Sequence, residues 1–110
     1  MRSYLIDELS PDDMKKLKRF LEQDALKSQL ESIFWMRVPD DLLSAVQFQH
    51  RDCRPHVFAV ELGTQWVKLE LFIRSLRGLN CECQAYCTSP QRAFILDFAD
   101  RAIRDLQVRT

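Results

Sequence analysis

The sequence predicts an α+β protein in which two long helices and one shorter helix pack on an antiparallel sheet. Amphipathic helical patterns follow two Ser-Pro pairs, Ser10-Pro11 and Ser89-Pro90, near the two ends of the chain. Between them, residues 57–88 alternate between apolar and polar side chains, as half-buried strands do. Helices on either side of a run of strands are typical of an α+β domain, and the 110 residues suffice for a single globular domain spanning 1–110.

The first long helix is predicted to begin at Ser10. Ser10 suits the N-cap position, and Pro11 suits the first helical position because a residue there needs no free N–H. Asp12 and Asp13 follow, where carboxylates interact favourably with the positive end of the helix dipole. Apolar residues then recur at helical spacing at Met14, Leu17, Leu21 and Ala25.

The second long helix is predicted to begin after Thr88 and to run for about 17 residues. Its apolar residues fall on one face, and charged residues occupy the other face. The apolar positions are Ile95, Phe98, Ala102 and Leu106, flanked by Phe94, Ala99 and Ile103. This pattern indicates a helix that packs one side against the sheet.

A third, shorter helix is predicted after Pro39, because Pro39–Leu42 repeats the Pro-Asp-Asp-apolar order of Pro11–Met14. One stripe of this helix would contain Leu43, Val46, His50 and Cys53. Pro55 would end the helix, since the residue before a proline avoids the helical region. The alternation over 46–50 fits a short strand equally well, so both interpretations stay open.

Three predicted strands form an antiparallel meander over 57–62, 67–74 and 81–88. Gly63-Thr64 predicts a two-residue hairpin turn with the glycine at positive φ, and residues 77–80 predict the second turn. Residues 33–38 and 3–6 also have strand character. The sheet is therefore expected to have three strands, or four or five if these two segments join it.

Charge and hydropathy exclude two classes of partner. Sixteen basic residues balance sixteen acidic ones, whereas binding nucleic acid through its phosphates needs an excess of Lys and Arg. Asp7 and Glu8 interrupt the segment where a secretory signal needs an apolar run, and no apolar stretch approaches the roughly 18 residues of a membrane span. We therefore expect a cytoplasmic protein with reduced cysteines, and neither nucleic-acid nor membrane binding.

All of the cysteines and histidines lie in two short windows. The first window is His50-x2-Cys53-x2-His56, and the second is Cys81-x-Cys83-x3-Cys87. Thiolate and imidazole are preferred ligands of zinc, so a zinc site would leave such a pattern in the sequence. The candidate metal ligands are Cys53, Cys81, Cys83, His56, His50 and Cys87.

The predicted strand over 81–88 disfavours zinc binding. Residues two apart on a strand have Cα atoms about 6.5–7 Å apart, whereas two sulfurs on one zinc ion lie roughly 4 Å apart. Cys81 and Cys83 could share an ion only if the chain bends near Asn80. On a strand, all three cysteines of the second window would face the core, where free cysteine is common. The pattern favours buried structural thiols, with zinc as the alternative and no other cofactor expected.

Thiol redox chemistry is a further alternative, and it would centre on Cys53. A reactive thiol needs a lowered pKa and access to solvent. Cys53 lies outside the predicted strands, and neighbouring cations could lower its pKa. These cations are His50, Arg51, Arg54 and His56.

The sequence favours a non-catalytic protein. The pairs Asp12-Asp13 and Asp40-Asp41 are adjacent, so their side chains diverge on a helix and do not form a carboxylate dyad. Two glycines leave little material for an oxyanion or phosphate loop. Trp66, Phe72 and Tyr86 lie among charged residues on the phase opposite the cysteines and form a candidate interaction surface. We expect a small interaction or regulatory module that binds a protein partner or a second copy of itself.

Overall fold

A computed structural model describes all 110 residues and shows an α+β fold with three helices and seven antiparallel strands. The expected strand count of three to five is therefore wrong. The helices are α1 (Pro11–Asp24), α2 (Ala45–Gln49) and α3 (Ser89–Asp105). The strands are β1 (Ser3–Ile6), β2 (Leu26–Lys27), β3 (Ile33–Arg37), β4 (His56–Leu62), β5 (Val67–Glu70), β6 (Phe72–Ser75) and β7 (Ala85–Tyr86).

Strand β4 is the centre of the sheet. The strand order is β1-β5-β4-β3-β2, and β6 pairs with both β4 and β7. β4 alternates sides with a period of two, so His56 shares the face of Phe58 and Val60. Phe58 packs edge-on against Phe94 and Phe98 of α3. His56 is thereby placed on the helix-covered face of the sheet.

Helices α1 and α3 begin as the sequence predicts, and both pack on this face. Ser10 Oγ accepts a hydrogen bond from the Asp13 N–H at 3.1 Å, and Thr88 Oγ1 accepts one from the Gln91 N–H at 3.3 Å. The two helices meet through Phe20 and Phe98. Core side chains from the helices and the sheet include Leu17, Leu21, Phe34, Phe58, Val60, Leu69, Ile73, Ile95 and Ala99. None of the helices combines the length and the hydropathy that a membrane span requires.

The predicted strand over 67–74 is interrupted at Leu71 and divides into β5 and β6. Val60 pairs with Leu69 on one side of the break, and Val57 pairs with Arg74 on the other. Two residues of β4, 58 and 59, therefore lie opposite the four residues 70–73. An insertion of two residues preserves the alternation, so the buried positions keep their phase across the break.

The predicted strand over 81–88 is wrong for its first half. Only Ala85 and Tyr86 pair with β6, while residues 81–84 form a turn. The Cys81 N–H donates to the Gly78 carbonyl at 3.0 Å, and the Gln84 N–H donates to the Cys81 carbonyl at 3.3 Å. These local bonds use backbone groups that a strand would have paired across the sheet. Cys83 is buried, whereas Cys81 and Cys87 are only partly buried and Ala85 is exposed, so these four residues do not share the expected inward phase.

The region 40–53 is helical but does not form one helix. Residues 40–42 and 51–53 are single 3₁₀ turns on either side of α2. The predicted apolar stripe is wrong, because Val46 is 46% exposed whereas Gln47 is 2% exposed. Ser44 caps α2 through a capping box with Gln47, and this local pairing sets which face of the short helix turns inward.

The β4–β5 connection has four residues rather than the predicted two-residue turn. The Gly63 N–H donates to the Trp66 carbonyl at 2.8 Å. Gly63 does not have a positive φ, so the prediction of a left-handed glycine is wrong. A Cβ at this position would overlap the Trp66 indole, and this close approach is what requires glycine.

Candidate metal centre

Two irregular segments carry the candidate metal ligands of the site. His50 ends α2, and the following 3₁₀ turn brings Cys53 back beside it, with the Cys53 N–H donating to the His50 carbonyl at 3.0 Å. Cys81 and Cys83 lie in the turn between β6 and β7. Because the turn replaces a strand here, both cysteines of the second segment can approach a single point.

Ser75 joins the two segments. Its hydroxyl, buried at the end of β6, donates to the Cys53 carbonyl and accepts the Gly78 N–H at 2.6 Å. A Cβ on Gly78 would lie 2.6 Å from the Cys53 sulfur, so only glycine allows this approach. The first turn of the 76–84 loop is therefore fixed directly against the Cys53 turn.

The Gln84 side chain closes the other end of this loop. Its Oε1 accepts the Ser75 N–H at 2.9 Å, and its Nε2 donates to the Leu79 carbonyl at 2.8 Å. The two bonds connect the start and the middle of the loop through one carboxamide. They keep Cys81 and Cys83 in a compact turn instead of a continuation of β7.

The ligand atoms of His50, Cys53, Cys81 and Cys83 all lie within 4.8 Å of one another. His50 Nδ1 is 3.1 Å from the Cys81 sulfur and 4.0 Å from the Cys53 sulfur. Zinc bonds of about 2.3 Å to sulfur and about 2.0–2.1 Å to nitrogen give tetrahedral edges of about 3.5–3.8 Å. Small side-chain adjustments would therefore place the four atoms at the corners of a zinc tetrahedron.

The thiols of Cys81 and Cys83 differ strongly in acidity. The backbone amide of Cys83, followed by the Cys83 thiol, stabilises the Cys81 thiolate and lowers the pKa of Cys81 to about 7. Burial, together with the neighbouring thiols, raises the pKa of Cys83 to about 12. Without a metal ion, the thiolate character of the cluster therefore resides on Cys81, which is more exposed than Cys83.

Two of the six candidate ligands lie outside this cluster. His56 is 2% exposed, and its Nε2 lies 3.4 Å from the Cys83 sulfur, so it contacts a ligand without joining the group of four. Burial, followed by the positive charges of Arg54 and His50, lowers the pKa of His56. Cys87 packs against the hydrophobic core, and burial raises the pKa of its thiol. Among the candidates, Cys87 behaves as the core thiol that the sequence favoured.

Sequence reasoning missed two glutamines that support the site. Gln47 Nε2 donates to the Cys83 carbonyl at 3.1 Å, and Gln91 Nε2 donates to Gln47 Oε1 at 2.8 Å. Each glutamine also completes the capping box of its own helix, Gln47 with Ser44 and Gln91 with Thr88. The Ser/Thr-x-x-Gln spacing was visible in the sequence, but it identifies the caps and not the bond between them.

The candidate interaction surface is divided between two places. Phe72 and Tyr86 pair across β6 and β7 with ring centroids 5.2 Å apart, and Arg2 lies 4.0 Å above the Tyr86 ring. Trp66 lies at the opposite end of β5, against Gly63 and near Lys68. Association through Phe72 and Tyr86 remains a prediction, which sedimentation of a Phe72→Glu variant would test.

No protein-family model, curated protein or solved structure matches this chain. The chemistry of the site is therefore inferred from its own ligands and distances.

Proposed function

We propose that this protein binds one zinc ion through His50, Cys53, Cys81 and Cys83, and that the ion is structural. The observation that supports the proposal is the convergence of one imidazole nitrogen and three sulfurs within 4.8 Å. A Cys₃His set is a known composition of structural zinc sites. Four protein ligands fill the tetrahedron, so no position remains for substrate or an activated water.

Zinc would also offset the unfavourable ionisation of three closely spaced thiols, one of which, Cys83, is buried. Three thiols this close together repel one another when ionised, and Cys83 is also buried, so burial and then the neighbouring thiols raise its pKa. A divalent ion replaces the thiol protons and offsets most of the charge of the three thiolates. Binding is therefore expected to release protons and to become weaker at acidic pH.

The ion would connect two parts of the chain that are distant in sequence. Cys53 and Cys81 are separated by 27 intervening residues, which include β4, β5 and β6. A cross-link of this length lowers the conformational entropy of the unfolded chain and so favours the folded state. Because the site does not exist in the unfolded state, the free energy of zinc binding also adds to the stability of the fold. We infer a non-catalytic module whose loop at 76–84 takes its final conformation with zinc.

Zinc content and zinc affinity test the proposal. Untagged protein is expected to contain one equivalent of zinc by elemental analysis and to melt at a lower temperature after chelation. Competition titrations with a chromophoric chelator would compare wild type with Cys53→Ser and Cys81→Ser, which each remove one ligand. Cys87→Ser is the matched control, because it removes a thiol that lies outside the cluster.

The expected pattern is a large loss of zinc affinity in both ligand variants and wild-type affinity in Cys87→Ser. Substoichiometric zinc with an unchanged melting temperature after chelation would contradict the proposal. Equal losses in all three variants would also contradict it, because they would show a general effect of thiol loss.

Thiol redox chemistry is the second candidate function, and the lowered pKa of Cys81 favours it. Two of the clustered thiols would transfer two protons and two electrons to hydrogen peroxide, forming one disulfide and two molecules of water. The reactive thiol would be Cys81 rather than Cys53, because the Cys83 N–H stabilises the Cys81 thiolate. The two candidate functions are separable, because zinc coordination protects the same sulfurs from oxidation.

A further inference from the structure

We propose that His56 is an outer-shell positioning residue that donates a hydrogen bond from Nε2 to the Cys83 thiolate when zinc is bound. The inference rests on the proposed zinc site and assigns a role to the histidine that the ligand set leaves out. The residue that supports the metal ligands from outside the ligand set would then belong to β4, the central strand of the sheet.

The first support is position. His56 is the first residue of β4, and its ring is buried on the helix-covered face at 2% exposure. Its Nε2 lies 3.4 Å from the sulfur of Cys83, a distance that fits an N–H···S hydrogen bond. Its neighbours Val57 and Phe58 are fully buried, so the strand holds the ring in place.

The second support is what Cys83 requires. Cys83 is the one ligand that is buried, at 2% exposure, whereas the other three are partly exposed and can share their charge with water. A buried thiolate needs donors from the protein. The other side chains near the Cys83 sulfur are the thiols of Cys53 and Cys81, which are candidate ligands themselves, so the His56 imidazole is the neighbouring side chain that can donate to the sulfur from outside the ligand set.

The third support is the tautomer of the ring. His56 Nδ1 is buried and has no hydrogen-bond partner among the protein groups. A neutral imidazole carries one N–H, and a thiolate can only accept. Once Cys83 binds zinc as a thiolate, the proton on Nε2 makes a charge-assisted bond, whereas a proton on Nδ1 would make none.

Two substitutions separate hydrogen bonding from packing. His56→Leu removes the donor, whereas His56→Gln keeps an N–H₂ group near the position of Nε2. Zinc affinity is expected to fall about 10–100-fold in His56→Leu, as is usual for loss of an outer-shell partner, and to recover most of that loss in His56→Gln. Circular dichroism of the metal-free variants would confirm that both fold.

Cobalt substitution provides a readout that packing alone would not change. The sulfur-to-cobalt charge-transfer band reports the electron density on the thiolates, and loss of a donor to one sulfur is expected to shift this band to longer wavelength. The shift should appear in His56→Leu and be absent or smaller in His56→Gln. An unchanged band and an unchanged affinity in His56→Leu would overturn the role of His56.

The wild-type protein gives a test that does not depend on any variant folding. Long-range proton–nitrogen NMR correlations of the zinc-loaded protein are expected to show His56 protonated on Nε2. Protonation on Nδ1 alone would overturn the inference while leaving the zinc site intact. If wild type binds neither zinc nor cobalt, the proposed function fails, and the inference about His56 fails with it.

Discussion

The carboxamide of Gln91 donates from Nε2 to Oε1 of Gln47 at 2.8 Å, which directly links the N-terminal caps of α3 and α2. Gln47 then donates to the Cys83 carbonyl, so the buried amides continue into the candidate metal centre. Both side chains are almost fully buried. Buried amide networks of this kind stabilise a structure only when every member has its partners.

Replacing Gln47 tests this network. Gln47→Leu removes the partner of the Cys83 carbonyl and one acceptor of Gln91 Nε2, and it abolishes the α2 capping box. Loss of these hydrogen-bond partners by buried polar groups is expected to lower the free energy of unfolding by about 1–3 kcal/mol. Urea unfolding measures this cost, and Gln49→Ala on the exposed side of α2 is the control, with an expected change under about 0.5 kcal/mol. Equal effects of the two substitutions would contradict the account.

Gly78 is expected to be intolerant of a side chain because it lies against the Cys53 turn. The Cβ of Gly78→Ala would lie 2.6 Å from the Cys53 sulfur and 3.0 Å from the Cys81 Cβ. Overpacking of this kind costs about 1–3 kcal/mol, and relief of the clash would move Cys53, a candidate zinc ligand. Unfolding and zinc titration should both detect the change, whereas Asn80→Ala on the exposed part of the loop should leave both unchanged.

Asp13 is expected to make the stability of the fold depend on pH. Its buried carboxylate accepts the Arg109 N–H near the C-terminal end of the chain. Burial opposes its ionisation, but hydrogen bonds from the Arg109 N–H and from Ser10, together with Lys16, lower its pKa below the usual 3.8. A carboxylate with a lowered folded-state pKa stabilises the fold above its unfolded pKa, and this contribution is lost as pH falls through the folded pKa. The destabilisation caused by Asp13→Asn should therefore be larger at pH 6 than near pH 3. Equal destabilisation by Asp13→Asn at the two pH values would contradict this account.

Alkylation of the metal-free protein tests the acidity of the cluster. Cys81, with a pKa of about 7, should react with iodoacetamide at a rate that rises with a midpoint near pH 7. Cys83 and Cys87 should react more slowly at that pH, because burial raises the pKa of both thiols. Mass spectrometry of peptides locates the modification, and zinc should suppress labelling of Cys81. Preferential labelling of Cys87 at neutral pH would contradict this assignment.

The parts of the fold that depend on local sequence were predictable. Ser10 and Thr88 cap α1 and α3 as expected, and β3 and β4 lie close to their predicted ranges. N-caps and alternation act between residues a few positions apart, so a single sequence carries enough information to place them.

The turn at 81–84 was not predictable from alternation. Its apolar–polar pattern fits a strand, but Gln84 bonds Ser75 and Leu79 instead of a neighbouring strand. The two Cys/His windows of the sequence include all four members of the cluster. Which four of the six candidate ligands come together depends on this turn and on the position of His56 at the start of β4. Those are tertiary features, which spacing along the chain does not encode.

Zinc K-edge X-ray absorption of the loaded protein tests the proposed ligand set most directly. The Cys₃His site predicts three sulfurs at about 2.3 Å and one nitrogen at about 2.0–2.1 Å from the ion. Two sulfurs with two nitrogens would place His56 in the first shell, and four sulfurs would place Cys87 there. Either result, or a shell dominated by oxygen, would contradict coordination by His50, Cys53, Cys81 and Cys83.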